Sequence, residues 1–125
     1  MDTVVDNDLK IYQGADLSFP FTVLSAGAAA NITGATFSAQ FRFAYSDASP
    51  ALSLTTEVVI VVAASGTAKI TADNSVTAAI TPPSGDAAFQ PLGAIPIYYD
   101  VNMVISTNTY RVLRGVGTFY RSALQ

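Results

Sequence analysis

The sequence has no histidine, no cysteine and no tryptophan, and only 12% of its 125 residues are charged. Each absence excludes something. A His-based triad, a cysteine nucleophile, a disulfide framework, a thiolate or imidazole zinc site and an axially ligated haem all need residues this chain lacks. The commonest general acid–base is missing too. No G-x-S-x-G, no H-E-x-x-H and no phosphate-cradling glycine loop occurs. The sequence therefore reads as a non-enzyme without cofactor or metal.

Long apolar runs are missing as well. The longest, Val58 to Ala64, is seven residues, far below the ~20 needed to span a bilayer. The opening MDTVVDND is acidic and has no apolar h-region, so neither a targeting segment nor a membrane partner is expected. Positive charge is scarce: 6 Lys plus Arg face 9 Asp plus Glu, a net charge of -3. That balance argues against a nucleic-acid partner. Soluble domains carry about 25% charged residues. Half that value fits a surface of Ser, Thr, Ala and Asn, or one covered by neighbouring subunits, because interface cores are depleted in charge. The second reading implies a homo-oligomer or a part locked among other proteins.

What is present is alternation. In ATFSAQFRFAY, Phe37, Ala39, Phe41 and Phe43 point one way and Thr36, Ser38, Gln40 and Arg42 the other, the mark of a half-buried strand. Leu17, Phe19, Phe21 and Val23 share a face, and Pro20 on the opposite face predicts an edge strand or bulge. Ile97, Tyr99, Val101, Met103 and Ile105 form an inward set; Tyr98, Asp100, Asn102 and Val104 form an outward one. The run TEVVIVVAA predicts a strand buried more fully, paired with TAKITAD. In TYRVLRGVGTFYRS simple alternation puts Arg114 with Val112 and Arg111 with Leu113, so neither face is cleanly polar and a bulge near the glycines is expected. Residues 25–34 read as a hairpin loop, and Asn108 as part of a tight turn. SVTAAI reads as one helical turn with Ser75 near its cap. The Pro- and Gly-rich loop through Pro91 and Gly93 is long enough to be functional or covered.

These segments predict an all-β fold: an antiparallel β-sandwich, immunoglobulin-like or jelly-roll-like, of seven to eight strands. A small β-barrel is the alternative. Residues 9–125 form the single domain. Residues 1–8, rich in Asp and Asn, read as a flexible or partner-bound arm.

Few residues offer chemistry. Asp6, Asp8 and Asp16 could gather around Ca²⁺, but they lack the EF-hand spacing and also read as solvated acids. Asp73 with Glu57 would make a glycosidase dyad only within ~5–10 Å in a cleft, and nothing indicates a cleft. Asn31-Ile32-Thr33 fits the N-glycosylation pattern, which recurs by chance. Asp100 lies mid-strand among apolar and aromatic residues, where a charge must be solvated or paired. Arg111 or Arg114 on the adjoining strand is its natural partner. Tyr98, on the same outward face, is the best exposed stacking platform. Asp100, Arg111, Arg114, Tyr98, Asp6 and Asp8 are therefore the candidate interface residues. Arg111, Arg114 and Arg121 alone are too few for a nucleic-acid surface.

Residues 11–42, IYQGADLSFPFTVLSAGAAANITGATFSAQFR, carry Gly14 with Asp16, an alternating strand, Ile32-Thr33-Gly34, Thr36-Phe37, Ala39-Gln40 and Arg42. Near the end come Tyr99-Asp100-Val101 and Leu113-Arg114-Gly115. This pattern resembles a phage virion β-sandwich module, similar to the N-terminal domain of siphophage baseplate upper proteins and related tail- and head-fibre modules. The resemblance implies a non-catalytic module for assembly or attachment, located in the virion and partnered by other virion proteins. No coiled coil or receptor-binding head follows in the sequence. The expectation is a small component, such as a capsid decoration (cement) protein or a tail or baseplate accessory. A carbohydrate-binding or adhesin-like sandwich, using Tyr98, is the alternative.

Overall fold

A computed structural model describes residues 1–44, 46–80 and 94–121. Tyr45 and the expected loop through Pro82, Pro83, Pro91 and Gly93 lie outside the described residues. The strands are β1 (Val4–Val5), β2 (Lys10–Tyr12), β3 (Leu17–Thr22), β4 (Leu24–Ser25), β5 (Ala28–Ala29), β6 (Thr36–Arg42), β7 (Leu52–Leu54), β8 (Val58–Val62), β9 (Thr67–Ala72), β10 (Ala94–Ile105) and β11 (Asn108–Tyr120). A short helix, α1 (Asn74–Ala78), follows β9. The count exceeds the seven or eight expected because β1, β4 and β5 are two-residue pairings, too short to show a period.

The chain is all-β. Its large sheet has six strands in the order β1-β11-β10-β6-β7, with β2 also on β11. A second sheet runs β3-β9-β8, and β4-β5 is a separate hairpin. Among the described residues no sheet closes on itself. The large sheet is mixed rather than purely antiparallel, since β1 and β2 both lie parallel to β11. Parallel neighbours need a long crossover, and the rest of the chain supplies it.

Alternation works as expected where one face meets the core. Phe37, Ala39 and Phe41 on β6, and Ile97, Tyr99, Val101 and Met103 on β10, are buried. So are Leu17, Phe21 and Val23 on and after β3, and Ala68, Ile70 and Ala72 on β9. All belong to one hydrophobic cluster. Rings from the two sheets meet edge to face: Phe19 against Tyr99 at 6.4 Å, and Phe21 against Phe37 at 6.0 Å. Each fully buried large side chain contributes roughly 1.5–3 kcal/mol. Pro20 lies on β3, an edge of the small sheet, where a missing N–H is harmless. Ile32 is fully buried beneath its turn.

Several expectations need correction. Asp73, not Ser75, caps α1 by accepting from the Asn74 N–H. The β10–β11 turn residues are Ser106 and Thr107, both at positive φ, and Asn108 already belongs to β11. β8 is not buried: only Val58 is, and the other four residues are exposed. A run apolar on both faces looks central in sequence, but β8 is an edge strand with no strand beyond it among the described residues.

The first eight residues are no free arm. Val4 and Val5 pair with Leu113 and Arg114, the Asp6 N–H donates to Arg114 O (2.9 Å) and the Thr118 N–H donates to Leu9 O (2.9 Å). What anchors them is a slot. Gly115 and Gly117 face inward, and a Cβ on Gly115 would collide with the Asp6 carbonyl, while one on Gly117 would lie 2.7 Å from Leu9 O. The chain crosses where those side chains would be. The Tyr99 hydroxyl, on the strand paired to Gly115, donates to the Asp6 carbonyl.

Candidate functional site

The bulge in β11 decides where the charges sit. Val101 pairs with Leu113 but Asn102 pairs with Arg111, so Val112 is the extra residue. Val112 and Leu113 are both buried in succession. The alternation therefore changes phase between Arg111 and Arg114. Residues three apart in a regular strand face opposite ways; here both arginines face outward. The bulge comes just before the glycines, whereas simple alternation separated the two arginines.

With that phase change, one outward face holds four of the six sequence candidates. Asp100 is the register partner of both Arg114 and Gln40, and Tyr98 is that of both Val116 and Arg42. The ion pair of Asp100 is with Arg111, at 3.8 Å, with side chains 33% and 52% exposed respectively. That pair crosses the bulge diagonally. At such exposure it contributes at most about 1 kcal/mol. Arg42 Nη1 donates to Gln40 Oε1 (2.9 Å) and Arg42 Nε to the Asp47 carbonyl (3.3 Å). Lys10 joins the face through its pairing with Thr118. Among the described residues, the Arg114 guanidinium has no hydrogen bond or ion pair. Tyr98 is half-buried.

Asp6 and Asp8 sit apart, on the segment that crosses the glycine slot. The Asp6 carboxylate accepts the Asp8 N–H (2.8 Å). Burial raises the Tyr99 pKa above its ordinary value, and the Asp6 and Asp8 carboxylates raise it further. Tyr99 thus stays a protonated donor to the Asp6 carbonyl.

The metal reading finds no support: among the described residues, no group of three or more carboxylates could hold an ion. Asp16 Oδ1 instead accepts the Asn74 N–H (2.7 Å), alongside the cap Asp73. The Glu57 carboxylate is used locally, accepting the Thr55 N–H (3.0 Å). Asn31 Oδ1 accepts from both the Thr33 N–H (3.0 Å) and hydroxyl (2.6 Å), so this triplet builds a turn. Among the described residues, no helix is long and apolar enough to cross a membrane.

Two features went unforeseen. The first is the exposed edge of β8, where Val59, Ile60, Val61 and Val62 are 36–52% exposed. The second is a groove of about 310 Å³ between β6 and β8, lined by Phe37, Thr55, Val58 and Ile60. The charge-free stretch from Val58 to Ala68 was the available signal, because solitary edges normally carry Lys or Pro.

No family model matches the chain, and no curated protein matches it. Among solved structures it is similar to the N-terminal domain of phage TP901-1 ORF48, with 15% identity and a TM-score of 0.46. The match covers 96% of this chain and 94% of that one. The resemblance is to a domain of a phage protein.

Proposed function

We propose that this chain is a non-enzymatic structural protein of a bacteriophage virion, an assembly or attachment module. The observation that carries the reading is β8: four exposed β-branched residues on an unpaired edge, in a stretch free of charge. An edge like that promotes aggregation unless something covers it. In this reading the cover is another virion protein or another copy, and the role is that of a capsid decoration protein or a tail or baseplate accessory. The sequence resemblance in residues 11–42 supports the phage assignment. The two sheets act as an open sandwich whose edge is completed by the assembly. Asp100, Arg111, Arg114 and Tyr98 form a second contact face, and Asp6 and Asp8 border it along the β11 side.

The test is incorporation. Tagged protein is mixed with the capsid and tail proteins encoded beside it, and particles are recovered by sedimentation. Wild-type protein is expected in the particle fraction. Val61→Lys with Val62→Lys is expected to fold normally and stay in the supernatant. Wild-type protein that remains monomeric at high concentration and binds neither capsid nor tail would overturn the proposal.

A further inference from the structure

The basic residues are not spread over the surface. Six Lys and Arg occur in the sequence, and the register puts four of them, Lys10, Arg42, Arg111 and Arg114, on the outward face of the large sheet. Asp100 is the single acid among them, and it is taken by Arg111. Three more acids edge this face, Asp6 and Asp8 along the β11 side and Asp47 beside Arg42, and the other described acids lie on the N-terminal segment, in loops and at the start of α1. In a protein with net charge -3, the centre of this face thus holds more cations than acids, four against Asp100.

We infer that this face is the positive half of a head-to-tail contact between copies of the chain. Charge complementarity selects the occupant. Away from this face the same molecule offers an acidic pair, where the Asp16 and Asp73 carboxylates converge on the Asn74 N–H. A nucleic acid would meet the net negative charge at long range, and it would gain nothing from Asp100. A second copy meets the positive face with its acidic part, and opposed potentials fix the orientation. Because two different surfaces are used, the contact is heterologous, able to close a ring or extend a row. The inference goes beyond the virion reading and does not require it.

Its footprint sets the expected strength. Four strands about 4.8 Å apart and seven residues at about 3.3 Å give a patch of roughly 15 by 20 Å. Stable interfaces bury about 800 Å² per partner, so this contact is weak in a single pair and gains from repetition. It should be measured at about 1 mM protein and low salt.

The experiment is sedimentation velocity of wild type, Arg114→Glu, and the double variant Asp16→Lys, Asp73→Lys. Arg114 is exposed and without a side-chain partner among the described residues, so its variant should keep the wild-type circular dichroism spectrum. Wild type is expected to associate with rising concentration, and association should weaken at least roughly ten-fold in 0.5 M salt. Each variant alone is expected to lose about as much. Mixing the two variants should restore association, because each brings an intact copy of the half the other has lost. Wild type that stays monomeric overturns the inference, as does an Arg114→Glu protein that associates like wild type. Two inactive variants that fail to pair on mixing overturn the head-to-tail arrangement. Retention of a monomeric wild type on duplex DNA or heparin would reassign the face to a polyanion. None of these outcomes depends on whether the protein enters particles.

Discussion

β11 and β8 pose the same problem and receive opposite solutions. Each would present an unpaired row of backbone groups on one side. Along β11 the chain closes the row itself, with β1 and β2 laid parallel and a glycine slot to admit the crossing between them. Along β8 nothing among the described residues closes it, and the exposed side chains are apolar. A closed edge needs local devices: small residues, a hydroxyl donor, a bulge. An open edge in a working protein needs a neighbour. In the proposed reading, the difference separates what this chain does for its own stability from what it leaves to assembly.

The largest expected effect breaks the closed edge. Gly115→Ala should destabilise by about 2–4 kcal/mol, because the new methyl and the Asp6 carbonyl claim one space. Denaturant unfolding measures it. The same substitution in a chain lacking residues 1–8 should cost under about 1 kcal/mol. An equal loss in both backgrounds would mean that the slot does not act through the N-terminal segment.

Next is the hydroxyl beneath it. Tyr99→Phe should cost about 1–2 kcal/mol through the orphaned Asp6 carbonyl. Its pH dependence has a definite sign. The folded pKa is raised, so above the ordinary tyrosine value of about 10 the unfolded chain releases a proton that the folded chain keeps. Stability is therefore full below about pH 10 and falls as pH rises beyond it. The phenylalanine variant should show a shallower fall between pH 9 and 11.

How much of this was legible in the sequence follows from what covers each strand. β6 and β10 are half covered, so period two shows in their residues and the inward sets read directly. β8 is an edge whose exposed side chains are as apolar as its buried one, so its sequence imitates a central strand. The bulge left a trace, the adjacent apolar pair Val112-Leu113, but which residue is extra depends on pairing with β10. Asp100 and Arg111 could be named as partners because hairpin neighbours are local. That Arg114 joins their face could not, since one inserted residue inverts the assignment. Gly115 and Gly117 mark the place where the sequence predicts a bulge; their use as a slot depends on a segment more than a hundred residues earlier.

A smaller effect is expected on the charged face. Asp100→Asn should change stability by less than about 1 kcal/mol, as an exposed pair predicts, and thermal unfolding checks this. Smallest of all is the effect on the open edge. Val61→Lys should shift folding stability by no more than about 0.5 kcal/mol while removing particle binding. A large loss of stability there would show that β8 serves its own fold, and the contrast with β11 would disappear.

The closure of β11 also orders events in time. Thr3 bonds to the carbonyl of Arg111, a partner 108 positions away, and the glycine slot lies later still. During synthesis residues 1–12 emerge long before there is a β11 to receive them. Contacts this distant in sequence are slow to form. Docking of the N-terminal segment is then a latch that closes only on a finished sheet, and a latched chain is one whose last hairpin has formed.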